Sequence, residues 1–354
     1  VSSFAVRRER ALEGLAAQDL PALAVTGRHN LRYLTGFTGE GYLLLAAPPV
    51  LCTDRRYEIE AQEEAGDCEF RRADRGHLHC LIEAAAAQGL ARLGFESDSL
   101  TYGQYQSLQK GLPQAELVPT SGVVEKLREI KSPEEIELMA RAAAIVDRVL
   151  EALLPSLEPG PTEKDLALQL TAAFIQAGAD GVSFAPIVAC GPRSALPHAT
   201  VTDRALRAGD ILLLDLGAQV GGYCSDITRT LVLGDPPEEF CRRYQAVLAA
   251  QRAGIAAVHV GVPAAEVDQA ARAVLVEAGL GEAFSHSLGH GVGLEVHEAP
   301  GLSGRSEQTL EVGHVFTIEP GVYLESWGGI RIEDQFALEA SGLRQLTFAP
   351  KLGC

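Results

Sequence analysis

The stretch ILLLDLGAQVGGYCSDITRT, Ile211 to Thr230, puts two carboxylates where a buried sheet does not ordinarily take them. Ile211–Leu214 is a continuous apolar run of the kind buried on both faces, and it ends in Asp215. A carboxylate there costs several kcal/mol unless a positive charge meets it. The glycines that follow mark a hairpin turn, and the returning strand carries Asp226. A turn at Val220–Gly221 sets Asp215 directly opposite Asp226. A turn at Gly221–Gly222 makes them diagonal neighbours. Either way they share a face, within roughly 5–8 Å. Two such charges repel by about 4 kcal/mol at ~4 Å and an effective dielectric of ~20. The arrangement calls for a cation or a shared proton, and a pair of metal ions is the expected partner.

The pattern recurs. LRAGDILLLD (Leu206–Asp215) matches LEVGHVFTIE (Leu310–Glu319): each has Leu, then Gly three residues on, then an acid six residues after the Gly. A second acid follows each on a second strand, Asp226 and Glu333. Strand alternation puts Thr317 with Glu319, and Arg331 with Glu333, on common faces, and turns His314 away from Glu319. The C-terminal part therefore reads as two similar halves, each donating an acidic pair.

Histidines supply nitrogen. SHSLGHGVGLEVHEAP carries His286, His290 and His297 among glycines that permit close backbone approach. His286 and His290 have the i, i+4 spacing of a zincin, but Ser287 stands where that motif needs Glu. His198, in ALPHAT, lies on a Pro-containing loop. His29, His77, His79 and His259 read as structural or surface residues. Four carboxylates and one imidazole form a hard, oxygen-rich set, suited to Mn²⁺, Co²⁺ or Zn²⁺ in a two-metal site rather than to thiolate zinc. Such a site is stabilised by metal.

The chain has 354 residues, enough for two domains, with 47 acidic and 30 basic side chains and a net charge of −17. That balance repels phosphate backbones, so nucleic acid is not an expected partner. Lys/Arg clusters for an anionic membrane surface are lacking too. The seven cysteines are odd in number and form no C-x-x-C pair, so reduced thiols in a cytoplasmic protein are expected. The opening VSSFAVRRERALEGL reads as an amphipathic helix without a signal-peptide core, and no segment is apolar enough to span a membrane.

Helix and strand signals alternate through residues 1–122, reading as a small α/β domain. IKSPEEIELM then opens a helix expected over about 133–153 and linking the domains, with Ser132 as N-cap, Pro133 first and Glu135 closing a capping box. Thr162 and Asp165 cap the next helix. Residues 123–354 form the second domain.

Together DLGAQVGGYCSDITRT, HGVGLEVHEAP, FTIEPGVY and GIRIED resemble the pita-bread metallopeptidases, which include Xaa-Pro dipeptidases (prolidases), aminopeptidase P, methionine aminopeptidases and the metal-free creatinases. NLRYLTGFTGEGYLLL, LCTDRRYEIEAQEE and IKSPEEIELMARAA extend the resemblance over nearly the whole chain, to the prolidase and aminopeptidase P branch. The resemblance implies a creatinase/prolidase-type α/β N-terminal domain followed by an α+β pita-bread catalytic domain with an internal pseudo-twofold repeat. It implies Asp215, Asp226, His290, Glu319 and Glu333 as ligands of two divalent ions, Mn²⁺ first among them. It places His198, His297 and Arg331 along the substrate cleft and His286 in a subsidiary position. The activity implied is dinuclear metal-dependent hydrolysis of the Xaa-Pro peptide bond by a metal-bridging hydroxide, with Glu319 shuttling the proton and His297 and His198 assisting. An Xaa-Pro dipeptidase comes first, a small aminopeptidase P second, a non-catalytic peptide-binding relative a distant third. A homodimer is also implied, with residues near Tyr33–Phe37 close to a cleft.

Overall fold

A computed structural model describes residues 3–354. It divides into two compact units, Val1–Arg128 and Glu129–Cys354, where the sequence reading sets the boundary after residue 122. Each unit is built on its own core.

The first unit holds a six-stranded mixed sheet. In spatial order its strands are Glu69–Arg72, Val50–Thr53, Tyr42–Leu45, Leu23–Val25, Arg92–Glu96 and Glu116–Thr120. Pro119 sits in the last of these, an edge strand, where a missing N–H breaks no inner ladder. The opening helix runs Ser3–Ala16; Val1 and Ser2 of the expected helix lie outside the described residues. The helix Arg28–Thr35 and the edge strand Glu69–Arg72 are among the elements that escape the sequence reading. A cavity of about 360 Å³ in this unit is lined by Arg28, the Thr38–Tyr42 turn, Tyr57 and His77.

The second unit is two halves, each with a main sheet and a pair of helices, and it holds two smaller sheets besides. In the first, strands Ile227–Val232, Ile211–Leu216 and Ile187–Cys190 lie side by side. Helices Pro133–Leu153 and Glu163–Gln176 cover them, packing Val146, Leu150, Leu170 and Phe174 on Leu212, Leu214 and Ile227. Both helices start as their sequences direct: Ser132 with Glu135, and Thr162 with Asp165, complete reciprocal capping boxes. The helix Pro133–Leu153, expected as a link between domains, belongs to this unit.

In the second half a five-stranded sheet runs Glu298–Leu302, Gly289–Gly291, Val315–Ile318, Asp334–Glu339, Gly342–Gln345. Helices Glu238–Ala257 and Ala264–Glu277 pack Phe240, Val247, Ala271 and Leu275 against Phe316, Ile318, Phe336 and Leu338. The repeated LxxG…acid motif thus starts the equivalent strand in each half.

The hairpin register is set by Gly221 and Gly222, at φ 58° and 83°, with Val220 paired to Tyr223. Left-handed backbone at both turn positions is what a tight two-residue hairpin requires and what glycine supplies. Asp215 then pairs with Thr228, leaving Asp226 its diagonal neighbour. In the second half GGIRIED is not one strand. Gly328–Arg331 pairs back on Gly321–Leu324, Asp334–Glu339 pairs with Val315–Ile318, and Glu333 sits at the junction.

One expectation is overturned. Cys241 and Cys354 form a disulfide, with Cα atoms 5.4 Å apart, so the cysteines are not all reduced. The pair is 113 residues apart in sequence, and only the fold brings the chain's end onto the helix Glu238–Ala257. Cys52, Cys68, Cys80, Cys190 and Cys224 are free. Among the described residues no helix is long and apolar enough to cross a membrane.

Candidate active site

The acids converge at the open ends of the two half-sheets, in a cavity of about 440 Å³. Asp215, Asp226, His290, Glu319 and Glu333 line it, together with His198, His286, His297 and Arg331. Every residue singled out from sequence as a site residue is therefore in one place. His314 is not: it is buried elsewhere and accepts a hydrogen bond at Nδ1 from the Glu311 N–H. The i, i+4 spacing of His286 and His290 is not helical, since Gly289–Gly291 is a strand.

The hairpin supplies Asp215 and Asp226, and the five-stranded sheet and its flanking turns supply His290, Glu319 and Glu333. The strand Gly328–Arg331 carries Arg331, and His198 comes from the loop that follows the strand Ile187–Cys190. Candidate ligand atoms of Asp226, His290 and Glu333 lie within 4.8 Å of one another. His290 Nε2 stands 3.2 Å from Glu319 Oε1 and 3.6 Å from Asp226 Oδ2. Hydroxyls fix the carboxylates. Thr228 donates to Glu333 at 2.6 Å and Thr317 to Glu319 at 3.2 Å. Glycine makes the approach possible: a Cβ on Gly289 would stand 2.0 Å from the Thr317 carbonyl oxygen.

Asp215 is held from one side only. Arg331 donates to its Oδ2 at 2.6 Å, to Tyr323 Oη at 2.6 Å and to the Pro197 carbonyl at 3.3 Å, while its Nε binds Thr228 Oγ1 at 3.0 Å. Tyr323 in turn meets His286 Nε2 at 3.1 Å. Sequence reading set Thr317 beside Glu319 but missed Tyr323 and Thr228. The alternation Asp226, Thr228, Thr230 on one strand was the available signal, polar side chains all pointing the same way.

The electrostatics are those of an under-compensated anionic site. Burial, then the charges of Glu333, Asp215 and Glu319, push the Asp226 carboxyl well above its usual range. Burial, then Glu319 and Asp215, do the same to Glu333. Burial raises Asp215 too, although Arg331 opposes it. Glu319 differs. Burial works to raise it, but the hydrogen bond and charge of His290 prevail and hold it at about 2. Burial, followed by the charge of His290, lowers His297.

Whether these residues fit metal ions is answered by two atoms. Oδ1 of Asp215 and Oδ1 of Asp226 are buried and have no hydrogen-bond partner among the described residues. A buried carboxylate oxygen without a donor is costly, and a divalent cation satisfies two of them at once. The donor set, oxygen-rich with one imidazole, suits such a cation.

The family model for metallopeptidase family M24 matches residues 137–340, and that for the creatinase/prolidase N-terminal domain matches residues 7–130.

The chain belongs to metallopeptidase family M24.

Its second unit has the pita-bread fold of that family, and its first the creatinase-type N-terminal domain. A protein of Pyrococcus horikoshii named Xaa-Pro dipeptidase is 35% identical, covering 96% of each chain. The solved structure of an Xaa-Pro dipeptidase from Bacillus anthracis superposes with a TM-score of 0.95 at 38% identity, covering 99% of each chain. That of an X-Pro aminopeptidase from Thermotoga maritima gives 0.91 at 33% identity, covering 98% of each. As an M24 metallopeptidase the chain is a metal-dependent hydrolase, and Asp226, His290 and Glu333 are grouped as a metal needs them.

Proposed function

We propose that the protein hydrolyses the peptide bond preceding proline in Xaa-Pro dipeptides, as a prolidase, with small aminopeptidase P activity on longer Xaa-Pro peptides as the second reading. The observation that carries it is the pair of buried, unanswered carboxylate oxygens in a cavity shared with His198 and His297, in a chain whose whole length matches Xaa-Pro dipeptidases. The similarity to an X-Pro aminopeptidase is what keeps the second reading.

Asp215, Asp226, His290, Glu319 and Glu333 would hold two divalent ions, Mn²⁺ in preference to Co²⁺ or Zn²⁺. Bound there, the ions supply Lewis acidity and water acidified to a pKa of about 7. The protein's own groups do the rest. Glu319, held ionised by His290, would take a proton from the water that attacks the scissile carbonyl carbon and pass it to the nitrogen as the C–N bond breaks. His198 and His297 both line the cavity and are exposed to it, placed to donate hydrogen bonds to the scissile carbonyl oxygen as charge develops there. Arg331 keeps Asp215 oriented from the side away from its free oxygen. Phe184, Ile187 and Val296 give the cavity an apolar wall that suits a pyrrolidine ring. Proline restricts the backbone and lacks an N–H, which defeats general peptidases and gives a dedicated site its purpose.

The working unit on this reading is a homodimer, its N-terminal domain limiting which peptides reach the site. Five free thiols suit the reducing cytoplasm, with Cys241–Cys354 the exception. The test is hydrolysis of Ala-Pro beside Ala-Pro-Ala-Ala, after chelation and after adding back each metal. Cleavage of the dipeptide alone supports the prolidase; cleavage of the tetrapeptide at the first bond moves the assignment to aminopeptidase P; turnover of neither removes both.

A further inference from the structure

We propose that Glu163 is the positioning residue for His198, gripping both ends of the loop that carries it over the cavity. The inference rests on the peptidase reading above.

Glu163 opens the helix Glu163–Gln176 and is fully buried, unusual for an acid in a first helical turn. The helix does not need it there. Its N-terminus is already served by the reciprocal Thr162–Asp165 box. The carboxylate instead faces the chain between the strand Ile187–Cys190 and Thr202. At the near end, Oε1 accepts from the Cys190 N–H at 3.0 Å, and Arg193 Nε is shared between Oε1 at 3.1 Å and Oε2 at 3.0 Å. At the far end, Oε2 accepts from the Thr202 N–H at 2.9 Å and from its hydroxyl at 2.7 Å. Arg193 ties the grip further, its Nη2 donating to the Thr200 carbonyl. Two donors lie before His198 and two after it, and one buried carboxylate answers all four.

His198 itself is exposed, at the part of the loop that lines the cavity with Pro197. Its neighbour's carbonyl is fixed by Arg331 at 3.3 Å, and Ser194 accepts from the Gly329 N–H at 2.9 Å. The loop is thus pinned at its ends by Glu163 and at its middle by residues of the second half, leaving His198 free to face a substrate but not to wander. Burial works to raise the Glu163 carboxyl, yet the bonds from Thr202 and Cys190 and the charge of Arg193 prevail and hold it below its usual range, consistent with a carboxylate that stays charged. A displacement of about 1 Å at a catalytic group costs about 100-fold in rate, so holding the loop has kinetic value.

The experiment is a double-mutant cycle on the metal-loaded enzyme. Glu163→Gln keeps shape and one acceptor but removes the charge that Arg193 and Thr202 share. It is expected to lower kcat/KM for Ala-Pro about 10-fold, with bound metal per chain unchanged. In the His198→Ala background the same change should cost no more than about 2-fold, because the residue it positions is gone. Thr202→Val, which deletes one donor and leaves the carboxylate, is the milder second cycle. It is expected to cost about 3-fold alone and nothing further beside His198→Ala, and it decides the matter where Glu163→Gln does not fold. Equal losses in both backgrounds, or loss of metal with loss of rate, overturn the assignment while leaving the peptidase reading intact. No turnover of any Xaa-Pro peptide by the unaltered chain overturns both.

Discussion

Arg331 donates from Nη2 to Oδ2 of Asp215 across 2.6 Å and leaves Oδ1 of the same carboxylate buried and unanswered. The guanidinium thus orients the acid without consuming it. Its remaining donors reach Tyr323, Thr228 and Pro197, so its plane is fixed by four residues. Lysine offers a point charge and cannot reproduce that fork. Arg331→Lys should weaken metal affinity about 10–100-fold, the usual cost of removing a group that orients a metal ligand. Calorimetric titration of the chelated protein checks it, and an unchanged affinity would remove Arg331 from this role.

Metal should stabilise the fold as well as activate it. Asp226 and Glu333 are pushed up first by burial, then by the site's other acids, and a cation relieves both. At metal concentrations ~1,000 times the dissociation constant, binding adds about 4 kcal/mol. The chelated protein should therefore melt well below the metal-loaded form. Asp226→Asn should abolish most of that difference, read by calorimetry with and without Mn²⁺.

His314 predicts part of the pH dependence of stability. Burial, and secondarily the Lys131 charge, lower it to about 4 from an ordinary 6.5. Folded His314 is neutral where the unfolded chain's is protonated. Its contribution is thus complete above pH ~6.5 and lost as pH falls from there toward ~4, amounting to about 3 kcal/mol at the lower end. Protonation would also displace the Glu311 N–H from Nδ1. His314→Gln should flatten the stability profile between those limits. Denaturant unfolding at several pH values shows it, and parallel profiles for the two proteins would refute it.

The Cys241–Cys354 disulfide closes a long loop by anchoring the chain's end. Closing such a loop adds about 2–4 kcal/mol, mainly by restricting the unfolded chain. Cys241→Ser should lower the melting temperature accordingly and leave Ala-Pro hydrolysis at 25 °C within about 2-fold, since neither cysteine lines the cavity. Equal melting temperatures under oxidising conditions would contradict the stabilising role.

What the sequence discloses follows the range of the interaction. Ser132, Pro133 and Glu135 act within one turn, and the helix they announce runs over the expected Pro133–Leu153. The paired acids are legible because an apolar run ending in Asp215 has no bland explanation. The hairpin register was left between two adjacent turns, although left-handed backbone at both turn positions suits Gly221–Gly222 and is resisted by the β-branched Val220. Tyr323 was hidden because a tyrosine near a strand end reads as ordinary β propensity, whereas its role depends on Arg331 and His286. Glu163 was hidden because an acid in a first turn already has a local explanation, and its burial against Cys190, Arg193 and Thr202 is a long-range fact. The helix Arg28–Thr35 was missed because its polar residues obscure the stripe formed by Leu31, Leu34 and Thr35. The disulfide joins positions that no local pattern relates.

The most direct measurement is the metal stoichiometry of activity. Mn²⁺ is added in steps to exhaustively chelated protein, and Ala-Pro hydrolysis is followed with bound metal counted per chain. The account predicts no hydrolysis at zero, a plateau at two ions per chain, and no recovery in Asp226→Asn or Glu333→Gln. Hydrolysis that survives complete chelation, or full activity in either variant, would contradict it.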